Sequence, residues 1–148
     1  GFNMVGLKLE YLYDAKNSSV GRCFVVKNNE SQIGMAIFKE LNSIDVYLKH
    51  SVTQNIKKFN NSLSDKDMMC IELLKIHPSH QGKGLGKKLV KAIIEKAKEL
   101  NCKSLFVKAE PSDDSRMDLE ELIEWYSQFG FYRLKRISRT EQLMQFEL

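Results

Sequence analysis

Proline, glycine and long hydrophobic runs are all scarce in this sequence. Two prolines and eight glycines among 148 residues exclude collagen-like and low-complexity chains. The longest apolar run, residues 33–38, has six residues, whereas a helix needs about 20 to cross a bilayer. We therefore expect no membrane partner and a single domain over residues 4–148. Residues 1–3 precede Met4 and are expected to be a cloning remnant.

Cysteine is scarce too, and its placement does not suggest cross-links. Cys23, Cys70 and Cys102 are odd in number, lie far apart and show no CxxC spacing. They are therefore interpreted as buried thiols, which predicts a reducing compartment, the cytoplasm. None of the three histidines has a Cys, His or carboxylate at metal-ligand spacing on a shared helix face, so no metal is expected.

Hydrophobic periodicity predicts strands in the first half of the chain. Apolar and polar residues alternate over residues 7–13 and again over residues 44–48, where Ile44, Val46 and Leu48 are the apolar positions. Residues 23–26 and 33–38 flank a polar turn and predict an antiparallel hairpin. Residues 51–66 are rich in Asn, Ser and Lys and are interpreted as a loop or short helix.

The second half changes period, which indicates helices alternating with strands. The predicted elements are a central strand at Met68–Ile76, a helix over residues 85–100, a strand at Ser104–Ala109, a helix from Asp118, and strands at residues 132–137 and 143–148. The first helix has its apolar face at Leu85, Leu89, Ile93, Ala97 and Leu100. Asp118 and Glu121 have the spacing of a capping box, and Gly130 ends the second helix. This order predicts a mixed α/β (α+β) fold.

The turn between the central strand and the first of these helices carries the strongest functional signal. It has glycine at positions 82, 84 and 86, and glycine lets backbone N–H groups approach a ligand closely. The helix N-terminus that follows carries a partial positive charge, so the turn predicts a phosphate site. Lys83, Lys87 and Lys88 oppose the helix dipole, each at a cost of roughly 0.3–1 kcal/mol unless an anion is bound.

Two common phosphate motifs do not fit this turn. The P-loop pattern fails at Gln81 and Lys88, and the dinucleotide fingerprint fails at Lys87. The pattern that fits is Gln81-x-x-Gly84-x-Gly86. It resembles the pyrophosphate-binding loop of the GNAT superfamily of acyl-CoA-dependent N-acyltransferases.

A second block, in the expected order along the chain, supports this resemblance. Residues 125–131 read Trp-Tyr-Ser-Gln-Phe-Gly-Phe, which is similar to the aromatic-Tyr-x-x-x-Gly-Phe signature of the same family. The step Ile76-His77-Pro78 resembles the family's strand end. The resemblance runs from Met68 to the C-terminus. It implies a mixed, mostly antiparallel central sheet with helices on both faces.

The resemblance also implies an activity. A single N-acetyltransferase domain would transfer an acetyl group from acetyl-CoA to a primary amine by direct attack. The amine could belong to a small molecule or to a protein. Cofactor contacts would come from the end of the central strand, where the pantetheine arm adds like a further strand, and from the glycine turn. The implied cofactor-binding residues are Leu74, Lys75, Ile76, Gln81, Gly82, Lys83, Gly84, Leu85, Gly86 and Lys87.

Two residues are candidates for proton transfer. Tyr126, within the second motif, would donate a proton to the leaving thiolate, although its spacing alone also fits a core aromatic. Glu72 would be the base, since strand alternation predicts that it shares a face with Cys70, Leu74 and Ile76. The alternative for Glu72 is a charge partner across the strands, such as Lys39. Glu40 and Glu110 are weaker candidates for the base. His77 and His80 are expected to be turn or surface residues.

The sequence departs from the family pattern at two places. Many members have two helices between the first two strands, whereas here residues 15–21 leave no room for them. Many members also have an Asn after the strand that corresponds to Ser104–Ala109, where this chain has Glu110 and Pro111. The resemblance therefore supports cofactor binding better than any assignment of the acceptor.

The net charge of +4 favours an anionic ligand or partner and leaves alternative functions open. One is an acyl-CoA sensor without catalysis. Another is a basic interaction module that uses Lys83, Lys87, Lys88 and Lys91. Aromatic residues are not interleaved with these lysines, which disfavours nucleic acid as the partner. A homodimer is also left open.

Overall fold

The computed structural model describes residues 6–56 and 67–148, and these form seven strands and three α-helices. The strands are β1 (Leu7–Leu12), β2 (Arg22–Asn28), β3 (Ser31–Glu40), β4 (Met68–Ile76), β5 (Ser104–Ala109), β6 (Tyr132–Ser138) and β7 (Glu141–Glu147). The helices are α1 (Val46–Asn55), α2 (Leu85–Glu99) and α3 (Leu119–Ser127). Of the predicted loop or short helix over residues 51–66, residues 51–55 belong to α1, and residues 57–66 lie outside the described residues.

All seven strands belong to one sheet, in the order β1-β2-β3-β4-β5-β7-β6. Neighbouring strands are antiparallel except β4 and β5, which are parallel and are connected through α2, as parallel neighbours require. The predicted hairpin is formed by β2 and β3, with Val25 opposite Met35. The expected mixed, mostly antiparallel sheet is confirmed.

Helices cover both faces of this sheet, each over its own hydrophobic cluster. On one face α2 and α3 pack against the strands around Phe38, Ile71 and Leu105. On the other face α1 contributes Val52 to a smaller cluster with Cys70 and Phe106. The buried residues of α2 are Leu85, Leu89, Val90, Ile93, Ile94 and Ala97. The prediction for Leu100 is wrong: it follows the end of the helix, and 38% of its surface is exposed.

The strand predicted at residues 44–48 is instead the start of α1. The side chain of Asp45 accepts hydrogen bonds from the backbone N–H groups of Tyr47 (2.9 Å) and Leu48 (3.2 Å), which caps a helix. Ile44 and Leu48 alternate with polar residues, but they are also four residues apart, and Val52 continues that helical spacing into the core. Local capping therefore decides between two periods that the same residues satisfy.

A β-bulge in β4 changes which way its side chains face. Leu73 is opposite Ile37 and Ile71 is opposite Phe38, so Glu72 is an extra residue between them. Before the bulge Cys70 lies in the α1-side cluster, whereas after it Leu74 packs against the cluster under α2 and α3. The prediction that Glu72, Cys70, Leu74 and Ile76 share one face is therefore wrong, because it assumed regular alternation through position 72.

The connection between β1 and β2 is as short as the sequence indicated. It forms a 3₁₀ segment, Ala15–Val20, with a kink at Asn17.

All three cysteines are free thiols, of which Cys70 and Cys102 are buried and Cys23 is partly buried. Burial raises the pKa of Cys70 to about 12 and that of Cys102 to about 11, so both stay protonated near neutral pH. Within the described ranges, none of the helices is both long enough and apolar enough to cross a bilayer.

The capping box at the start of α3 is present and gives a stability prediction. Glu121 donates its backbone N–H to the Asp118 carboxylate (2.8 Å), and the Glu121 carboxylate accepts from the N–H of Asp118 (3.3 Å). Removing such a cap costs about 1 kcal/mol. Asp118→Ala should therefore lower the melting temperature by roughly 2–4 °C. Asp113→Ala, an exposed aspartate in the preceding turn, is the control and should leave it unchanged. Equal melting temperatures for the two variants would contradict the role of the cap.

Candidate active site

A cleft of about 580 Å³ opens beside the far end of β4. Along one wall lie the end of β4, the glycine turn and the start of α2. Along the other lie residues 110–117, which follow β5, and one side of α3. The lining residues are Leu73, Leu74, Lys75, Ile76, His80, Gln81, Gly82, Gly84, Leu85, Gly86, Lys87, Glu110, Pro111, Ser112, Asp114, Ser115, Arg116, Met117, Leu122, Trp125, Tyr126 and Gln128.

The cleft exists because β4 and β5 pair over only part of their length. In the described register, β4 pairs with β5 from Met68 to Ile71 and then continues to Ile76. On its other side, the same stretch remains paired with β3, with Ile76 opposite Gly34. The edge of β4 that faces the cleft thus offers backbone groups to an extended ligand, in the manner of an added strand.

The glycine turn presents the N-terminus of α2 to this cleft. Gly82 and Gly84 have φ of +77° and +81°, in the left-handed region that favours glycine. Gly84 is the N-cap of α2, and no side chain of the described residues caps it. The first N–H groups of a helix have no partner within the helix, so they are available to an anion. An added Cβ at Gly84 would meet none of the described atoms within 4 Å, so this position is not crowded by the protein.

Gly86 has a packing role that the motif alone did not reveal. A Cβ at this position would lie 3.2 Å from Cζ2 of Trp125 in α3. Because Gly86 has no side chain, the ring of Trp125 packs directly against the first turn of α2. The two sequence motifs are therefore in direct contact.

The residues before the glycines fix the turn rather than act as free groups. Gln81 donates its side-chain amide to the carbonyl of Ile76 (3.1 Å), which ties the turn to the end of β4. Nδ1 of His77 accepts from the N–H of Ser79 (3.2 Å), and Ser79 Oγ lies 2.8 Å from Nδ1 of His80. The two histidines therefore lie in a hydrogen-bonded turn, as expected. Of the turn's basic residues, Lys87 lines the cleft.

Tyr126 is both a core aromatic and a cleft residue. Its exposed fraction is 5%, and its ring packs edge-on against Trp125 (5.0 Å) and Phe131 (5.7 Å). It also lines the cleft beside the end of β4. Burial raises the pKa of its hydroxyl, so the group stays protonated near neutral pH.

Of the three glutamates considered as the general base, Glu110 is the one that lines the cleft. Glu72, in the bulge, has a 38% exposed side chain, and its Oε2 lies 2.8 Å from Nζ of Lys39. It is thus an ion-pair partner of Lys39, as the alternative interpretation predicted, and it is not among the cleft-lining residues described above. Glu110 does line the cleft and lies 3.8 Å from Nζ of Lys108. Glu40 lies 3.8 Å from Arg22.

Arg116 and Trp125 are cleft residues that the sequence reasoning did not assign to the site. Trp125 had a signal in the sequence, because it opens the second motif. Arg116 had none, since it lies in a loop rich in serine and aspartate whose path over the glycine turn depends on tertiary structure. Over the described ranges, no group of three or more His, Cys, Asp or Glu side chains is arranged to hold a metal ion.

Several solved structures share this fold. An IAA acetyltransferase from Bacillus cereus ATCC 14579 superposes with a TM-score of 0.61 at 17% identity, covering 96% of this chain and 99% of that one. A GNAT family acetyltransferase from Elizabethkingia anophelis with acetyl-CoA bound gives a TM-score of 0.63 at 14% identity, covering 97% and 99%. The ribosomal-protein-S18-alanine N-acetyltransferase from Escherichia coli gives 0.56 at 15% identity, covering 93% and 68%. At these identities the likeness shows a shared fold.

A search among curated proteins finds no match. The model of the Acetyltransferase (GNAT) family matches residues 4–131, which is most of the chain. Together with the diverging strands and the glycine turn, this match shows that the chain belongs to the GNAT acetyltransferase family, which uses acetyl-CoA as its acyl donor.

Proposed function

We propose that this protein is an N-acetyltransferase that transfers the acetyl group of acetyl-CoA to a primary amine by direct attack. One observation supports this most strongly. The free edge of β4, the uncapped N-terminus of α2 and the buried hydroxyl-bearing residue Tyr126 all border one cleft. The strand edge can bind the pantetheine arm of acetyl-CoA, the helix N-terminus can bind its pyrophosphate, and the hydroxyl can donate a proton to its sulfur.

The cleft residues fit the chemical groups of acetyl-CoA. The backbone at Leu74, Lys75 and Ile76 would bind the pantetheine arm, whose amides pair as a strand does. The turn from Gln81 to Lys87, with Gly82, Lys83, Gly84, Leu85 and Gly86, would bind the pyrophosphate through N–H groups and positive charge. Gln81 and Gly86 would act indirectly, the first by holding the turn and the second by admitting Trp125.

Tyr126 would protonate the thiolate that leaves when the acetyl group is transferred. Burial raises the pKa of this hydroxyl, so near neutral pH the proton is on the oxygen and is available to the leaving sulfur. The packing of its ring against Trp125 and Phe131 holds that hydroxyl in place. The core role and the catalytic role are therefore compatible in one residue.

Glu72 would accept the proton of the attacking amine, directly or through water. An amine with a pKa of about 10.4 is neutral in only about one molecule in a thousand near physiological pH, so a base is needed. Glu72 stands where β4 leaves β5, and Lys39 Nζ at 2.8 Å orients its carboxylate. Glu110 lies nearer the cleft wall and is the alternative base.

The acceptor would be a small amine or a protein amino group in the cytoplasm. Incubating the protein with acetyl-CoA and a panel of amines and peptides, and measuring the release of CoA, tests the function directly. Turnover with any of them supports the transferase. Tight acetyl-CoA binding without CoA release from any of them would instead indicate a sensor.

The glycine turn gives a binding prediction. A ligand at a hundredfold excess over its Kd stabilises the fold by about 2.7 kcal/mol, so acetyl-CoA should raise the melting temperature by roughly 5–10 °C. Gly84→Val should abolish this shift, because valine does not tolerate the φ of +81° and its side chain would occupy the open space at the helix N-terminus. Gly6→Val, a left-handed glycine outside the cleft lining, is the control and should retain the shift. No shift for the well-folded parent protein would reject acetyl-CoA binding.

Tyr126→Phe should lower kcat and kcat/KM together by about 10²–10⁴-fold while the affinity for acetyl-CoA stays the same. The substitution removes one oxygen and keeps the ring that packs in the core. Tyr132→Phe is a matched control, since it removes a surface hydroxyl that donates to Glu147 (2.9 Å). A rise in KM alone, or a lower melting temperature with normal turnover, would show that Tyr126 is not the proton donor.

Glu72→Gln should lower turnover most at neutral pH and less at high pH, where the amine loses its proton without help. Glu110→Gln, at the alternative position, should leave the shape of the pH–rate profile unchanged. Steady-state rates from pH 6 to 10 for both variants decide between the two carboxylates. A profile for Glu72→Gln that runs parallel to the parent's would assign Glu72 a structural role, as a partner of Lys39.

A further inference from the structure

The side chain of Arg116 lies beside the glycine turn. It lies in the segment between β5 and α3, yet its Nη1 is 3.0 Å from the position that a Cβ on Gly82 would occupy. Of the described atoms, it is the one that comes within 4 Å of that position. The guanidinium of Arg116, an exposed residue, therefore lies beside Gly82, and both residues line the cleft.

Hydrogen bonds on either side of Arg116 define the path of its loop. Ser115 donates its backbone N–H to the carbonyl of Ser112 (3.0 Å). The hydroxyl of Ser115 accepts from the N–H of Met117 (3.2 Å) and donates to the carbonyl of Met117 (3.2 Å). The capping box at Asp118 then fixes the next turn of chain. The backbone that carries Arg116 is thus held at the mouth of the cleft.

The cleft around Arg116 carries charges of both signs, since the carboxylates of Glu110 and Asp114 line it as well. Lys87 lines the same cleft, and α2 directs its positive end toward it. No carboxylate among the residues that the structure describes forms an ion pair with Arg116. The carboxylate of Asp114, on the same loop, accepts instead from the hydroxyl of Ser112 (2.8 Å). The guanidinium beside Gly82 and the positive end of α2 at Gly84 both favour a negative group at this end of the cleft.

We propose that Arg116 binds the pyrophosphate of the acyl donor from the side opposite to the N-terminus of α2. This inference rests on the proposed function, and it makes Arg116 a second contributor, beside the glycine turn, to the preference for a donor with a diphosphate. The planar guanidinium presents two parallel N–H groups to two phosphate oxygens, whereas the lysine ammonium acts as a point charge without that fixed geometry. The 3′-phosphate of the ribose is the other phosphate group of CoA. We assign the pyrophosphate because Arg116 contacts the turn that leads directly into α2.

Binding measurements with three ligands test this assignment. CoA carries both the pyrophosphate and the 3′-phosphate, dephospho-CoA lacks the 3′-phosphate, and pantetheine has no phosphate. Affinities for the parent, Arg116→Ala, Arg116→Lys and the control Arg139→Ala are measured by calorimetry for the first two ligands and by NMR titration for pantetheine. Arg139 is an exposed residue in the β6–β7 turn, away from the cleft.

Arg116→Ala should weaken CoA and dephospho-CoA equally, by about 10- to 100-fold, and leave pantetheine unchanged. Arg116→Lys should recover part of the loss, and Arg139→Ala should match the parent. Unchanged CoA affinity in Arg116→Ala overturns the proposal. So does a loss confined to CoA, which would place Arg116 at the 3′-phosphate, or an equal loss for pantetheine, which would mean that the loop had collapsed. If the folded parent binds neither nucleotide, the proposed function fails as well; in the other outcomes it stands.

Discussion

The site depends on the separation of β4 from β5 after four paired positions. Up to Ile71 and Val107 the two parallel strands form an ordinary ladder, and beyond that point the edge of β4 faces the cleft. A strand edge inside a protein has backbone groups that need partners. An extended ligand can supply these partners. The separation of the two strands therefore creates the cavity and also leaves backbone groups in it that can form hydrogen bonds with a ligand. The bulge at Glu72 lies at the same point, between the regular and the divergent parts of β4.

The second constraint is the contact of α2 with α3. A Cβ on Gly86 would lie 3.2 Å from Cζ2 of Trp125, so the glycine leaves room for the indole ring. Trp125 in turn packs against Tyr126 and Phe129. This aromatic group joins the anion-binding end of α2 to the residue that would donate the proton. The two motifs are separated in sequence but form one structural unit. A larger residue at position 86 would therefore disturb the position of Tyr126 as well as the turn.

Features set by local interactions could be predicted from the sequence. The capping box at Asp118, the buried face of α2 and the glycine turn each depend on residues within a few positions of one another. The start of α1 could not be predicted with the same certainty, since residues 44–48 satisfy both a strand period and a helix period. The face of Glu72 depends on its register with β3, and the position of Arg116 depends on a loop folding over a distant turn. Both are properties of tertiary structure, and the hydrophobic periodicity of the sequence does not predict them.

Trp125 is the single tryptophan of the chain, and it lies in the wall of the cleft against the first turn of α2. The indole fluorescence of the native protein therefore originates at the site itself, without an added label. Its emission wavelength depends on local polarity and water access, both of which change when a ligand fills the cleft. The fold thus contains an intrinsic optical reporter, through which the rates of ligand arrival and departure can be followed by stopped-flow methods.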